Sequence, residues 1–211
     1  MNCIIVASGT LVDTPGIRSL LNQADLIIAA DGGAIHLKQM NFIPHVIIGD
    51  MDSILPDTKL FYEKNKTPII SYPARKNQTD TDLCIDFALE KKATEITLLG
   101  VTGNRLDHTL ANLFLLRRLA DLGIKAKIVD ANNEIYLVTD HLELTGEKGD
   151  PLSIIPVSDI ITGLTLEGLE YPLENASIPM GSSLGISNCF KETRATISIS
   201  AGVLLVTKSR D

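Results

Sequence analysis

Tryptophan is absent from this 211-residue chain, and the aromatic share is only 4%, five Phe and four Tyr. Any ring that stacks on a ligand must be one of those nine. Positive charge is also scarce: 19 Lys and Arg stand against 26 Asp and Glu, for a net charge of −7. A sequence-independent hold on DNA or RNA needs clustered cations, so no nucleic-acid partner is expected. The cysteines number three, Cys3, Cys84 and Cys189, far apart, with no CxxC pair and no His at zinc-ligand spacing. That excludes a disulfide framework and a structural zinc site, and reads as three reduced core thiols. No apolar run reaches the roughly 18–20 residues that cross a bilayer, and the opening MNCIIVASG lacks a basic stretch and a long apolar one. The expectation is a soluble, cytoplasmic protein with no membrane partner. Neither GxGxxG after the first apolar run nor GxxxxGK(S/T) occurs, so no dinucleotide fingerprint and no P-loop are encoded.

What is present is 45% hydrophobic, enough for the cores of one large or two small domains. Up to about residue 130, short β-branched runs (CIIVAS, LIIAA, HVIIGD, PIISY, EITLLG, KAKIVD) alternate with segments of helical period. This pattern predicts an α/β domain over residues 1–130, with a mostly parallel sheet covered by helices on both faces. One helix spans Thr79–Lys91, with Leu83, Phe87 and Ala88 on the inner face and Asp82 and Asp86 opposite. Another spans Leu106–Leu119, its apolar stripe formed by Leu106, Leu110, Phe114 and Leu115. After Asn133 the helical period vanishes, and EIYLVT, LSIIPV, ITGLTLEGL, RATISIS and VLLVTK are separated by Gly, Pro and Asn. Residues 131–211 therefore read as a small all-β sandwich. Its charge is the more lopsided, 5 basic against 11 acidic side chains, compared with 14 against 15 in the first domain. An acidic surface is ordinarily simple solvation, and it also suits a cationic small molecule better than an anionic one.

Open α/β sheets bind ligands beyond the carboxyl ends of their strands, so the residues after each apolar run carry the interest. Ser8-Gly9 follows the first, Asp31-Gly32-Gly33 the second, Gly49-Asp50-Met51-Asp52-Ser53 the third and Gly100-Val101-Thr102-Gly103 the fifth. Asp50 and Asp52 are costly neighbours unless a cation neutralises them, and Mg²⁺ suits a carboxylate pair that shares it with phosphate oxygens. A DxD alone is often a solvated turn. Here Gln78-Thr79-Asp80 opens a helix with Thr79 as its cap, and Asp107-His108 occupies the first turn of the next. Acidic residues at such positions ordinarily answer the helix dipole. Together, however, Asp31, Asp50, Asp52, Asp80 and Asp107 share the predicted rim with Arg75, Lys76 and Arg105, a mixture of signs that matches a metal–nucleotide complex. Gly9, Gly32, Gly33, Gly100 and Gly103 allow phosphate to approach the backbone.

Four segments resemble the successive motifs of thiamin pyrophosphokinase: Asp31-Gly32-Gly33-Ala34, Gly49-Asp50-Met51-Asp52-Ser53-Ile54, Lys76 to Asp82, and Gly100 to Asn112. In the β domain, Gly168 to Leu173, Gly185-Ile186-Ser187-Asn188 and Gly202 to Val206 resemble the same family. The resemblance implies transfer of a pyrophosphoryl group from ATP to the hydroxyethyl oxygen of thiamin, giving thiamin diphosphate and AMP. It implies Mg²⁺ on Asp50 and Asp52, with Asp80 as a further metal contact or as acceptor of the hydroxyl proton. Asp107 falls to the ribose or the metal, and Gln78, Thr79 and Arg105 to the nucleotide phosphates. Asp31, Gly32, Gly33, Arg75, Lys76, Gly103 and His108 complete the nucleotide side, His108 as a hydrogen-bonding group rather than a base. Ser187 and Asn188 fall to thiamin. It further implies a homodimer, the thiamin pocket lying between the α/β domain of one chain and the β domain of its partner. RATISIS, read as an exposed strand, suits such an interface.

Two positions depart from the family pattern: Asn77 stands where Asp is usual, and Cys189 where Glu is common. The rival readings are a DxD-dependent nucleotide-sugar transferase or phosphohydrolase, and a non-catalytic nucleotide- or thiamin-binding module.

Overall fold

The central strands of the first half are apolar on both faces because helices cover both. In the computed structural model, which describes residues 1–73 and 77–210, the chain divides into two compact units, Met1–Ala131 and Asn132–Asp211. The first holds β1 (Asn2–Val6), β2 (Leu26–Ala30), β3 (Val46–Gly49), β4 (Ile69–Ser71), β5 (Glu95–Leu99) and β6 (Lys125–Val129). Between them run α1 (Pro15–Asn22), α2 (Gly33–Gln39), α3 (Pro56–Lys64), α4 (Asp80–Glu90) and α5 (Leu106–Asp121). Every strand pair in this unit is parallel, in the order β6-β5-β1-β2-β3-β4. Ile4, Ile5, Ile28 and Ala29 have no solvent exposure at all, as central strands covered on both faces require. The chain lays β2, β3 and β4 to one side of β1 and then β5 and β6 to the other, so strand order reverses between β1 and β5. Such a reversal opens a crevice at the carboxyl ends of the two strands.

Helix α5 departs from expectation. It buries Asn112, Leu116 and Leu119, while Leu106, Leu110 and Phe114 are 68%, 45% and 55% exposed. The helix carries two apolar stripes, and a period of 3.6 residues cannot choose between them. The choice falls on the stripe containing Asn112, whose amide has a loop to hold. Of the cysteines, none of them in a disulfide, Cys3 and Cys84 are buried and burial pushes the Cys3 thiol up to about 12. Cys189 is only half-buried, contrary to its reading as a core thiol.

The second unit contains β7 (Asn133–Val138), β8 (His141–Thr145), β9 (Pro151–Pro156), β10 (Ile160–Glu167), β11 (Leu173–Pro179), β12 (Asn188–Cys189), β13 (Arg194–Ser198) and β14 (Leu204–Ser209). They form two antiparallel layers, β12-β9-β14-β7 and β11-β10-β13-β8. Leu152, Ile154, Leu204 and Val206 from one layer and Ile161, Leu166, Ala195 and Ile197 from the other share one core, which makes the unit a sandwich. The segment RATISIS is not an exposed strand: β13 pairs with β10 and β8, and Ala195 and Ile197 are wholly buried. Its alternation marks a face that meets the core. No helix among the described residues is long and apolar enough to cross a membrane.

Candidate active site

The crevice at the β1/β5 reversal is a cleft of about 670 Å³. Its floor is main chain. Past the strand ends, Ala7 N–H donates to the Leu99 carbonyl (2.8 Å), Gly9 N–H to Gly100 (2.6 Å) and Thr10 N–H to Thr102 (2.7 Å). Only glycine fits at position 9, where a Cβ would lie 2.4 Å from the Thr102 carbonyl oxygen. Side chains from behind hold this floor. The His36 ring nitrogen Nε2 lies 2.8 Å from the Gly9 carbonyl, Asn112 Nδ2 donates to the Val101 carbonyl at 2.8 Å, and Gly103 N–H donates to Thr109 Oγ1 at 3.2 Å. Of the residues expected at a nucleotide site, Thr79, Gly103, Arg105, Asp107 and His108 line the cleft. Ser8, Thr10, Ser53, Thr102 and Thr109 line it too. They bring a ring of hydroxyls, of which Ser53, Thr102 and Thr109 donate to Asp52, Asp130 and the Gly103 carbonyl. The signal for them was available in part, since small hydroxyl residues follow the strand ends directly.

The carboxylates gather beside Ser53. Asp31 follows β2 in the left-handed region at φ +44° and is 5% exposed. Its Oδ2 accepts from Ser53 N–H at 3.2 Å, while its Oδ1 is buried without a hydrogen-bond partner. Met51, also left-handed at φ +66°, lets the chain fold so that Asp52 N–H donates to Asp50 Oδ1 at 3.2 Å. Ser53 Oγ donates to Asp52 at 2.9 Å. Oxygens of Asp31, Asp50 and Asp52 lie within 4.8 Å of one another. Asp31, expected on the nucleotide side, thus joins the pair in the place expected for Asp80. Asp80 begins α4 behind Thr79 and approaches from across Gly49, where a Cβ would meet Asp31 Cβ at 2.8 Å and Asp80 Oδ1 at 3.2 Å. Burial pushes the Asp31 carboxyl above its ordinary value; the Ser53 hydrogen bond opposes this, and the charges of Asp80 and Asp50 add to it. A buried, unpartnered oxygen beside two further carboxylates fits a hard divalent cation.

Thr79 caps α4 with a capping box, accepting from Asp82 N–H while the Asp82 carboxylate accepts from Thr79 N–H. Gln78 Nε2 donates to Asp86 at 2.7 Å. Arg105 and Asp107 pair with each other at 2.7 Å, both exposed, and that hydrogen bond holds the Asp107 carboxyl below its ordinary value. Arg75 and Lys76 lie outside the described residues. Gly33 is required by packing: a Cβ there would sit 1.9 Å from the Val6 carbonyl oxygen. Gly32 backs onto Ser8 and Ser53.

In the β unit, Asn188, expected at thiamin, is buried and bonded to the backbone of Tyr171. It is 2% exposed, with Oδ1 accepting from Tyr171 N–H (3.0 Å) and Nδ2 donating to the Tyr171 carbonyl (2.9 Å). Both ends of its amide are spent on fixing the Tyr171 loop. Ser187 is exposed, in the left-handed region at φ +58°. Tyr171, which no sequence signal singled out, carries that clasped backbone and is 67% exposed.

A family model described as thiamin pyrophosphokinase, catalytic domain, matches residues 17–128, and one described as thiamin pyrophosphokinase, vitamin B1 binding domain, matches residues 139–204. A thiamine pyrophosphokinase of Bacillus subtilis is 37% identical over 210 residues, covering 98% of both chains. The crystal structure of thiamine pyrophosphokinase from Bacillus subtilis superposes at a TM-score of 0.92 with 35% identity, all of both chains being covered. That of thiamin pyrophosphokinase from Geobacillus thermodenitrificans does so at 0.87 with 33% identity, covering 100% of this chain and 98% of the other.

Proposed function

The chain belongs to the thiamin pyrophosphokinase family, and on that footing we propose how its own residues move a pyrophosphoryl group from ATP to thiamin, giving thiamin diphosphate and AMP. The observation that carries the assignment of roles is the Asp31, Asp50 and Asp52 trio beside a hydroxyl-lined cleft at the strand-order reversal. In the reaction the thiamin hydroxyl oxygen attacks the β-phosphorus of ATP and the bond to the α,β-bridging oxygen breaks, releasing AMP. Such a transfer depends chiefly on alignment and on neutralising charge.

Asp50, Asp52 and Asp31 would hold Mg²⁺, with Asp80 as the remaining contact or as acceptor of the hydroxyl proton. Bound there, the cation would supply positive charge to offset that of the phosphate oxygens. Ser8 and Thr10 donate to phosphate oxygens, as do Gln78 and Arg105, the last exchanging Asp107 for the nucleotide; Thr102 and Thr109 join them by leaving Asp130 and the Gly103 carbonyl, and Thr79, held by Asp82, shapes the phosphate wall. Asp107 then turns to the ribose. His108, exposed in the first turn of α5, hydrogen-bonds the nucleotide. Arg75 and Lys76 add positive charge.

Thiamin falls to the β unit. Residues 139–204, matched by the vitamin B1 binding model, contain two aromatic side chains, and Phe190 is 1% exposed. Tyr171 is therefore the ring for the heterocycle, set in place by Asn188, with Ser187 beside it. The working form is a homodimer whose thiamin pocket joins the α/β unit of one chain to the β unit of its partner. The exposed Leu106, Leu110 and Phe114 stripe next to the cleft supports this, since a partner would cover it. Three cysteines outside any disulfide suit the reducing cytoplasm, where the enzyme is proposed to act. A nucleotide-sugar transferase or phosphohydrolase leaves the match over residues 139–204 without a purpose, and a non-catalytic nucleotide- or thiamin-binding module leaves the carboxylate trio without one.

The test is product analysis. AMP should appear from ATP only when thiamin and Mg²⁺ are both present, in step with thiamin diphosphate. Release of AMP or phosphate without thiamin would favour the hydrolase, and nucleotide binding without turnover the binding module.

A further inference from the structure

Helix α5 reaches both walls of the cleft. Through Asn112 and Thr109 it holds the loop after β5, as described above. Its last turn holds the opposite wall. Arg118 Nη1 lies 3.4 Å from Asp82 Oδ1, and Nη2 donates to Asp86 Oδ1. These carboxylates are one turn apart on α4 and repel each other there, so a planar guanidinium with parallel donors is the partner that reconciles them. Each carboxylate reaches back with its other oxygen. Asp82 Oδ2 accepts from Thr79 N–H at 3.2 Å and from Thr79 Oγ1 at 2.7 Å, and Asp86 Oδ2 accepts from Gln78 Nε2 at 2.7 Å. The Gln78 amide is thereby oriented, with its second N–H left to donate elsewhere.

We propose that Arg118 is a positioning residue for nucleotide binding: by clamping Asp82 and Asp86 it fixes Gln78, Thr79 and the start of α4 at Asp80 relative to the other wall of the cleft. The reasoning is geometric. Two residues of the loop are each tied to one carboxylate, both carboxylates are tied to one side chain, and that side chain sits on the helix that carries Asp107 and His108. Arg118 lines no part of the cleft, so it acts through the loop. The inference rests on the reading of the cleft as the ATP site.

Steady-state kinetics of full-length Arg118→Gln with ATP and thiamin varied separately tests it. KM for ATP should rise about tenfold while KM for thiamin stays within about twofold, because only one wall is loosened. Arg118→Lys keeps the charge but reaches a single carboxylate, and should fall between Gln and wild type. Gln78→Ala should add less than about twofold to KM for ATP in the Arg118→Gln background, although its effect in wild type is several-fold, since the clamp and its client act as a unit. If Arg118→Gln does not fold, Asp86→Asn carries the same expectation for KM of ATP. A lowered melting temperature with both KM values unchanged, an equal rise in both, or additive effects of the two substitutions would overturn the proposal. Wild type that makes no thiamin-dependent AMP would instead overturn the reading of the cleft, a distinct result.

Discussion

The two units spend their polar residues in opposite ways. In the α/β unit, parallel strands all point their carboxyl ends toward one rim, so residues far apart in sequence, Thr10, Asp31, Asp50, Asp80 and Asp107, are gathered there by topology alone. The polar groups of that rim mostly face outward into a cleft or toward one another. In the antiparallel sandwich, loops leave from both ends, no rim is privileged, and the polar residue that looked most like a ligand contact, Asn188, is consumed in holding a loop. A polar side chain at a strand end thus means different things in the two architectures: exposure to chemistry in one, completion of backbone hydrogen bonding in the other.

The sharpest way to break this contrast is to remove a rim carboxylate. Asp50→Asn and Asp52→Asn should each lower kcat by about 10² or more in the AMP assay while circular dichroism and the melting temperature stay near wild type. Normal turnover at saturating Mg²⁺ would return both residues to the status of a solvated turn. Next in size is Gly33→Ala, which should cost about 1–3 kcal/mol in urea unfolding, because the added methyl meets the Val6 carbonyl. Loss of ATP affinity with stability intact would restore Gly33 to the phosphate site.

On the sandwich side, Tyr171→Ala should raise KM for thiamin about tenfold and leave KM for ATP alone, while Tyr171→Phe stays within about twofold, since the ring face matters and the hydroxyl does not. A comparable loss in the Phe variant would point to the hydroxyl. Mixing Asp50→Asn chains with Tyr171→Ala chains then asks whether the two units collaborate across a dimer. At low thiamin and after random subunit exchange, roughly a quarter of wild-type activity should return, because half the dimers hold one intact site. Activity at the mean of the two parents, with exchange confirmed by mass, would put the whole site in one chain. The smallest effect belongs to Asn77→Asp, expected to change turnover by no more than about threefold and to leave the Mg²⁺ requirement in place. A large shift in that requirement would make position 77 a ligand position.

How much of this was legible in the sequence follows the same divide. The central parallel strands β1, β2 and β3 announced themselves as apolar runs, because burial on both faces demands apolar residues at nearly every position, while β4, β5 and β6 were found despite the polar residues they carry. The antiparallel strands were partly hidden: β8 (HLELT) and β11 (LENASIP) carry polar residues on an outward face and were missed, whereas β13 was found but its place was misread. Among site residues, Asp50, Asp52 and Thr79 were readable from local chemistry, a paired carboxylate and a helix cap. The joining of Asp31 to the pair was not, since it depends on the left-handed turns at Asp31 and Met51, which no periodicity reports. Nor could spacing reveal which stripe of α5 lies inward, a choice made by Asn112 and the loop it holds.

The cleft floor has a consequence of another kind. Hydrogen bonds from Ala7, Gly9 and Thr10 to the stretch after β5 involve peptide groups alone, and every amino acid except proline carries those same groups. Those bonds are therefore indifferent to spelling at Ala7 and Thr10: a substitution there that leaves the chain path open keeps every peptide hydrogen bond of the floor, while Gly9, where any side chain would intrude, and the props His36, Thr109 and Asn112 behind it are not interchangeable. What is inherited there is a shape more than a spelling.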